Sequence, residues 1–484
     1  MRNDAQALEK IVSSLKKRKK GSTAADICAA TALPLSLVNE LLPVAADEYS
    51  GHLRVTESGE ILYYFPGGFK SRYKGFGAKV KRFTGKAAAV FKSVLAFLFK
   101  AWIMIMLAGY FIVFIALALA AIFIQIASRS NNNSGKEGFS GFGIFDLIFR
   151  IWFYSALTRP HYDDYHDYRK PKEEPKRPMH ISIFSFIFGE KDPNKDWNEL
   201  KDKAIILFLQ ANKGIISLAE YMAFTGDNSL EAEAGILSFC SRYEGSPEVS
   251  EEGTIVYRFE KLLLGTEPKR LNELIRPVKK IKTFSDNKKS LNAAIAVINT
   301  VNLIFGSYFL YQSNITGVIT DIAQYQTVSK LYGYTYMIFD YFMNNPSIVI
   351  GIALGIIPLI FSVIFWIIPI FRFFTEKKDN QKIKLSNFKR FSFNKIWTSP
   401  LNIEAESLKP PSDLYCPDNI KEACDRVIKD IGAFSVPEVK VLENGRTIYS
   451  FNELEKEKQA LIKYRLSADT SRLNIGKTIF DSGE

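Results

Sequence analysis

"RYEGSPEVSEEGTIVYRF", residues 242–259, is a stretch that the chain writes more than once. Residues 48–65 read "EYSGHLRVTESGEILYYF", and residues 441–451 read "VLENGRTIYSF". Each has the form of a hairpin. Val55 or Val249 closes the first strand, and Gly59 or Gly253 supplies the positive φ that a tight turn needs. Ile61, Tyr63 and Phe65 then alternate along the second strand, as do Ile255, Tyr257 and Phe259, so each trio is expected to turn inward. The third copy keeps Val441, Gly445, Tyr449 and Phe451. The expected module cores are therefore Tyr63 and Phe65, Tyr257 and Phe259, and Tyr449 and Phe451.

Working outward, an offset of 194 positions lays the second copy on the first without gaps from residue 11 to 65. Ile11, Val12 and Leu15 fall on Ile205, Ile206 and Leu209, one apolar helical stripe. Thr23 with Asp26 falls on Ser217 with Glu220, a pattern that starts a second helix with a capping box. A third helix is expected near 35–48 and 229–243, with Pro43 kinking or shortening the first copy of it. Three helices and a hairpin describe a winged helix-turn-helix module. The third copy shows only the helix near 418–432 before its hairpin and reads as truncated.

The stretch "FSFIFGEKDPNKDWNELKDKAIILFLQANKGIIS" (184–217), leading into "PEVSEEGTIVYRF", resembles a family of poorly characterised bacterial, cyanobacterial and plastid membrane proteins with repeated winged-helix-like modules. The similarity covers about residues 20–460, and "FGEKDPN" and the hairpin are its most specific parts. Some members carry an iron–sulfur-cluster-biosynthesis label. The four cysteines here (28, 240, 416 and 424) lack cluster-ligand or zinc spacing, and three of them fall in expected helices, where a buried thiol packs as a small hydrophobe.

Between the modules lie apolar runs. Residues 101–125 and 347–371 carry no charge along their length, and 291–311 are a more polar third run. Each is long enough to cross about 30 Å of hydrocarbon as a helix. No signal peptide is expected, since the N-terminus is polar and the first apolar run lies about a hundred residues in. The net charge of +12 concentrates beside these runs. Residues 67–100 hold nine basic residues and no acids; 269–289 and 372–396 each hold eight against two. Such collars suit the anionic headgroups of a cytoplasmic leaflet, with Lys79, Lys81, Arg82, Lys279, Lys280, Lys282, Lys377 and Lys378 as the expected contacts. The loop 312–346 carries one basic residue and is expected on the far side. Residues 141–158 are either a fourth pass or an interfacial or re-entrant helix, and 181–188 are too short to span and read as interfacial. Asn292, Asn299, Asn302 and Ser307 either line a polar path or, as is commoner, hold helices together; Gly351 and Gly355 suggest close helix packing.

The expected organisation is an α+β set of winged-helix repeats joined to an α-helical membrane region: module 1 (1–66), a basic segment (67–100), a span (101–125), a linker (126–194), module 2 (195–262), a basic linker (263–290), a span (291–311), the outer loop (312–346), a span (347–371), a basic linker (372–411), truncated module 3 (412–465) and a tail (466–484). A bacterial cytoplasmic membrane with the modules on the cytoplasmic side is the expected setting.

A DNA-reading module needs a basic third helix. Here the third helices and wings carry Glu40, Asp47, Glu48, Glu57, Glu231, Glu233, Glu251 and Glu252, which repel phosphate. "KKRKK" at 16–20 is a solvated helix end or a basic arm. The sequence therefore points to a non-enzymatic membrane protein whose acidic module faces dock a protein partner, with no catalytic, cofactor or assigned metal residues. A membrane-tethered DNA-binding regulator and a transporter subunit are the alternatives, and self-association is compatible with either. His161, Asp163, Asp164 and His166 form a cluster whose spacing matches no established metal site, so metal binding there stays open.

Overall fold

The computed structural model describes residues 2–18, 21–69, 76–129, 177–266, 276–313, 349–408, 410, 412, 416–443, 445–469 and 476–483, with the backbone alone for 2–3, 76–89 and 125–129. The 141–158 segment, the His161–Asp163–Asp164–His166 cluster and nearly all of the 312–346 loop lie outside the described residues. The chain forms a mixed α+β structure, mostly helical, in two compact units. One comprises Met1–Gly85, Lys191–Lys282 and Lys377–Glu484, and the other Lys86–Glu190 and Thr283–Glu376.

The first unit contains two sets of elements that coincide at the 194-residue offset. Helices α1 (Arg2–Leu15), α2 (Ala24–Thr31) and α3 (Leu35–Glu48) precede strands β1 (His52–Thr56) and β2 (Ile61–Tyr64). After helices α4 (Phe76–Met104), α5 (Tyr110–Arg129) and α6 (Met179–Phe188) come α7 (Trp197–Ala211), β3 (Ile215–Ser217), α8 (Leu218–Thr225), α9 (Ser229–Tyr243), β4 (Ser246–Val249) and β5 (Ile255–Arg258). The α2 and α8 helices match residue for residue, as do β2 and β5. Local chemistry repeats as well: the Thr31 hydroxyl donates to the Ile27 carbonyl at 2.6 Å, and that of Thr225 to Tyr221 at 3.1 Å. Helix α3 continues past Pro43 to Glu48 instead of ending there. Pro43 is exposed, so the carbonyl that loses its partner can turn to water.

A third set follows helices α10 (Lys289–Gln312) and α11 (Ile357–Thr398): strand β6 (Ile403–Glu404), a 3-10 turn at Ala405–Leu408, helix α12 (Ile420–Gly432) and strands β7 (Glu438–Val441) and β8 (Thr447–Ser450). Its sheet runs β6-β8-β7, the same order as β3-β5-β4 in the second set. The strand Ile403–Glu404 lies ahead of the 412–465 stretch and pairs with Tyr449 and Ile448. In the first set the place of β3 is held by a single bridge from Ser22 to Tyr63. The sheet is extended on its other side by β9 (Thr478–Asp481), which pairs with β1 and follows helix α13 (Asn452–Ser467).

One apolar core runs through all three sets, from Ile11 and Leu42 through Ile205 and Phe259 to Val427 and Phe451. Tyr63, Tyr257, Phe259 and Phe451 are buried, while Phe65 and Tyr449 are half-buried at its edge. Ile61 and Ile255 are corrections to the expected inward trios, for they are 40% and 54% exposed. Alternation puts them on the same face as their tyrosines, but they lie toward the hairpin tip, beyond the reach of the core.

The second unit holds helices apolar and long enough to cross a membrane. Val90–Ile124 is one, Lys289–Gln312 another, and a third begins at Gly351 within it. A π-helical turn at Ile105–Gly109 interrupts the first and another at Gly351–Ile356 opens the last. Asn302 donates to the Leu107 carbonyl at 2.8 Å, taking up a group in the first of these turns. Asn299 donates to Ser362 at 3.0 Å. Both asparagines therefore hold helices together. Gly355 meets the Leu310 backbone, and a Cβ there would stand 2.9 Å from the Leu310 nitrogen. Helix α6 packs one face against the longer helices, with Ile183 and Ile187 buried among Ile103, Leu107 and Phe365, while Met179 and Phe188 stay exposed. The Arg372 guanidinium donates to the Ser185 and Phe186 carbonyls at its C-terminus and pairs with Glu376 at 2.7 Å.

Candidate docking site

Helix α13 follows the third set and lies along the second. Ser217 caps α8 by accepting from the Glu220 amide at 3.3 Å. In an ordinary capping box the acid would reach back to the cap. Glu220 instead turns to Arg465 of α13, whose guanidinium grips it in a fork at 2.5 and 3.2 Å and also donates to the Ile215 carbonyl at 2.6 Å. The Ala219 amide, one of the first-turn donors without an intrahelical partner, donates to Glu457, again from α13, at 3.4 Å. Burial pushes the Glu220 carboxyl above its ordinary range against the pull of Arg465. The Glu457 carboxyl is pushed up by burial too, and the nearby Glu220 charge adds to it.

The hairpin of the second set is held by the same helix. Lys463 bridges Glu251 at 3.1 Å and Glu252 at 2.6 Å, and the Tyr464 hydroxyl donates to Glu248. Between α13 and the β4–β5 hairpin a groove of about 1060 Å³ remains open. Ile255, Tyr257, Leu218 and Leu454 give it an apolar floor, and Glu233, Glu252, Glu453, Glu455 and Glu457 line it against Lys456 and Lys463.

The structure thus distributes the acids singled out in the sequence. Glu231 closes a capping box with Asn228 at the start of α9. Glu233 lines the groove, while Glu251 and Glu252 are engaged by Lys463. Glu57 stands beside the β9 segment, its amide donating to the Lys477 carbonyl at 2.9 Å. Glu40 and Asp47 are exposed and Glu48 half-buried on α3. Helix α3 contains no basic residue, and the sole arginine of α9, Arg242, folds back onto Asp202. Sequence reasoning missed Glu220, Glu457 and Arg465. The signal for the first was a cap-position acid, which reads equally well as a surface residue.

Of the basic residues beside the apolar runs, Lys280, Lys377 and Lys378 are exposed. Lys282 pairs with Asp379 at 2.9 Å, and Lys279 lies over the Trp197 ring, its pKa lowered by burial. The side chains of Lys79, Lys81 and Arg82 lie outside the described residues. Within "KKRKK", Arg18 turns inward to Asp26 at 3.0 Å. All four cysteines are free thiols. Burial pushes Cys28 up to about 12 and Cys240 up to about 11, which leaves them packed as hydrophobes. Among the described residues no group of three or more His, Cys, Asp or Glu side chains is placed to hold a metal ion.

No family model matches the chain, and no solved structure matches it. A plant protein from Arabidopsis thaliana, "Uncharacterized protein At5g03900, chloroplastic", is 23% identical over 403 residues, covering 78% of this chain and 70% of its own length. That likeness accords with the poorly characterised, plastid-related group that the sequence resembles; nothing in the printed name concerns iron–sulfur chemistry.

Proposed function

We propose that the protein is a non-enzymatic membrane protein whose winged-helix-like modules dock a protein partner in a scaffolding or assembly role. The three element sets each end in a hairpin, and the second and third share a strand order, which supports the winged-helix reading. The observation that carries the docking reading is electrostatic. The exposed faces of α3 and α9 present Glu40, Asp47, Glu231 and Glu233 without an outward basic side chain. A phosphate backbone would be repelled from those faces, whereas a basic protein surface would be attracted. The three apolar helices anchor the modules to a membrane, and the basic collars beside them favour the cytoplasmic side of a bacterial cytoplasmic membrane.

The full chain in lipid nanodiscs tests this reading, because the modules share one core and are not separable fragments. A photo-crosslinking residue in place of Glu40 or Glu231, introduced in living cells, is expected to capture protein at those faces. A salt-sensitive electrophoretic shift of duplex DNA at micromolar protein, with the same positions crosslinking to DNA, would favour the tethered regulator and end the docking reading.

A further inference from the structure

We propose that the groove between the second wing and helix α13 receives a cationic, amphipathic segment of the partner protein. This deepens the docking reading and rests on it. Two independent features of the groove point to such an occupant.

The first is the exposed floor. Ile255 is 54% exposed on a strand whose next inward residue, Tyr257, is only 6% exposed. A large aliphatic side chain held open at the mouth of a groove gains about 1 kcal/mol or more when a partner covers it. Leu454, only 4% exposed, and half-buried Leu218 lie beside it in the lining. The second is charge. Glu233, Glu252, Glu453 and Glu455 line the opening with Lys456 and Lys463, while Glu457 is half-buried with its carboxyl pushed up by burial. Lys456 pairs with Glu453 at 2.9 Å, Lys463 with Glu252 at 2.6 Å and Lys458 with Glu455 at 3.9 Å, so the rim keeps a carboxylate excess centred on Glu233. An apolar strip under an anionic rim matches a helix with leucine-like residues on one face and Lys or Arg along its flanks. Nucleic acid and anionic headgroups fail the charge requirement. The volume, about 1060 Å³, lies at the upper limit of the roughly 300–1,000 Å³ typical of small-molecule sites and suits a peptide better.

The probe is a fluorescent 14-residue peptide of alternating Leu and Lys at helical spacing, carrying one photo-crosslinking group, added to the full chain in zwitterionic nanodiscs. A Leu/Glu peptide of the same pattern is the comparison. The Lys peptide is expected to bind and to crosslink within 229–257 or 452–463, and the Glu peptide to do neither. Glu233→Lys combined with Glu455→Lys should weaken binding about tenfold, at about 0.7 kcal/mol for each reversed charge. Glu9→Lys combined with Asp425→Lys, an equal charge change at exposed sites away from the groove, should leave binding unchanged.

Equal binding of the two peptides, or equal weakening by the control pair, would overturn the proposal. So would displacement of the peptide by duplex DNA, or crosslinks joining two copies of the chain through the groove. A groove that fails these tests while Glu40 or Glu231 still captures protein removes the groove and leaves the docking reading intact. A capture that fails at those positions removes the docking reading itself.

Discussion

Asp26 and Glu220 occupy the same place in the first and second element sets, and both are buried acids at the third position of a short helix. Each reaches outside its own set. Asp26 keeps the reciprocal capping box with Thr23 and also accepts from the Thr266 amide at 3.1 Å and hydroxyl at 2.8 Å. Thr266 lies just after the second set. Glu220 gives up its capping role and binds Arg465, which lies just after the third set. One position therefore latches the chain that leaves the next set along. The difference lies in what is latched: a neutral threonine against a guanidinium. Module order within this unit is written into a pair of acids that look interchangeable in the sequence.

The largest expected effect comes from the second latch. In Arg465→Ala, Glu220 keeps a side chain only 7% exposed and loses its bidentate partner. Removing one half of such a pair costs about 3–5 kcal/mol. The sign with pH follows from the raised carboxyl. Its folded pKa lies above the unfolded value, so its contribution is complete below about 4.5 and is lost as pH rises through the raised folded value. Without Arg465 the folded pKa rises further. Thermal unfolding of the variant in nanodiscs should therefore show a deficit that widens as pH rises above about 4.5 through the raised folded range; a deficit that stays constant across that range would mean that Glu220 is not the source.

The first latch should break more gently. Asp26→Ala removes the bonds to Thr266 and Thr23, but Arg18 is 26% exposed and can turn to water. About 2 kcal/mol is expected. A loss as large as that of Arg465→Ala would erase the contrast between the two latches.

Much of this fold can be read from the chain because its signals are local. The hairpin glycines, the cap residues of α2 and α8, and the apolar stripe of Ile11 and Ile205 each act within a few positions. What escaped notice acts over long range or within very short elements. The strand Ile215–Ser217 has three residues, too few to show alternation, and Ile403–Glu404 has two. The strand Thr478–Asp481 lies in what reads as a tail and earns its place through Arg54 and Tyr64, more than 400 residues away. The groove was invisible for the same reason, since its walls come from residues near 255 and near 455. The asparagines were half legible: their type suggested helix contacts, while the partner of Asn302 lies in a π-helical turn that no residue pattern announces.

The smallest effect concerns the residue that ends the second helix of each set. Gly226 and Ala32 are equivalent, and both take the left-handed conformation, with φ of 73° and 54°. Glycine meets that conformation without penalty, whereas alanine pays for its Cβ. A Cβ on Gly226 would also stand 2.7 Å from the Arg390 side chain and 3.0 Å from its backbone nitrogen. Gly226→Ala should therefore destabilise by about 1–2 kcal/mol. The reverse exchange, Ala32→Gly, relieves the strain but adds freedom to the unfolded chain, so the two terms partly cancel. A gain of about 0.5 kcal/mol is expected from it, read as a small rise in melting temperature. A loss on Ala32→Gly would mean that the Ala32 methyl group packs well enough to outweigh its strain, and that the two helix ends differ in packing as well as in residue type.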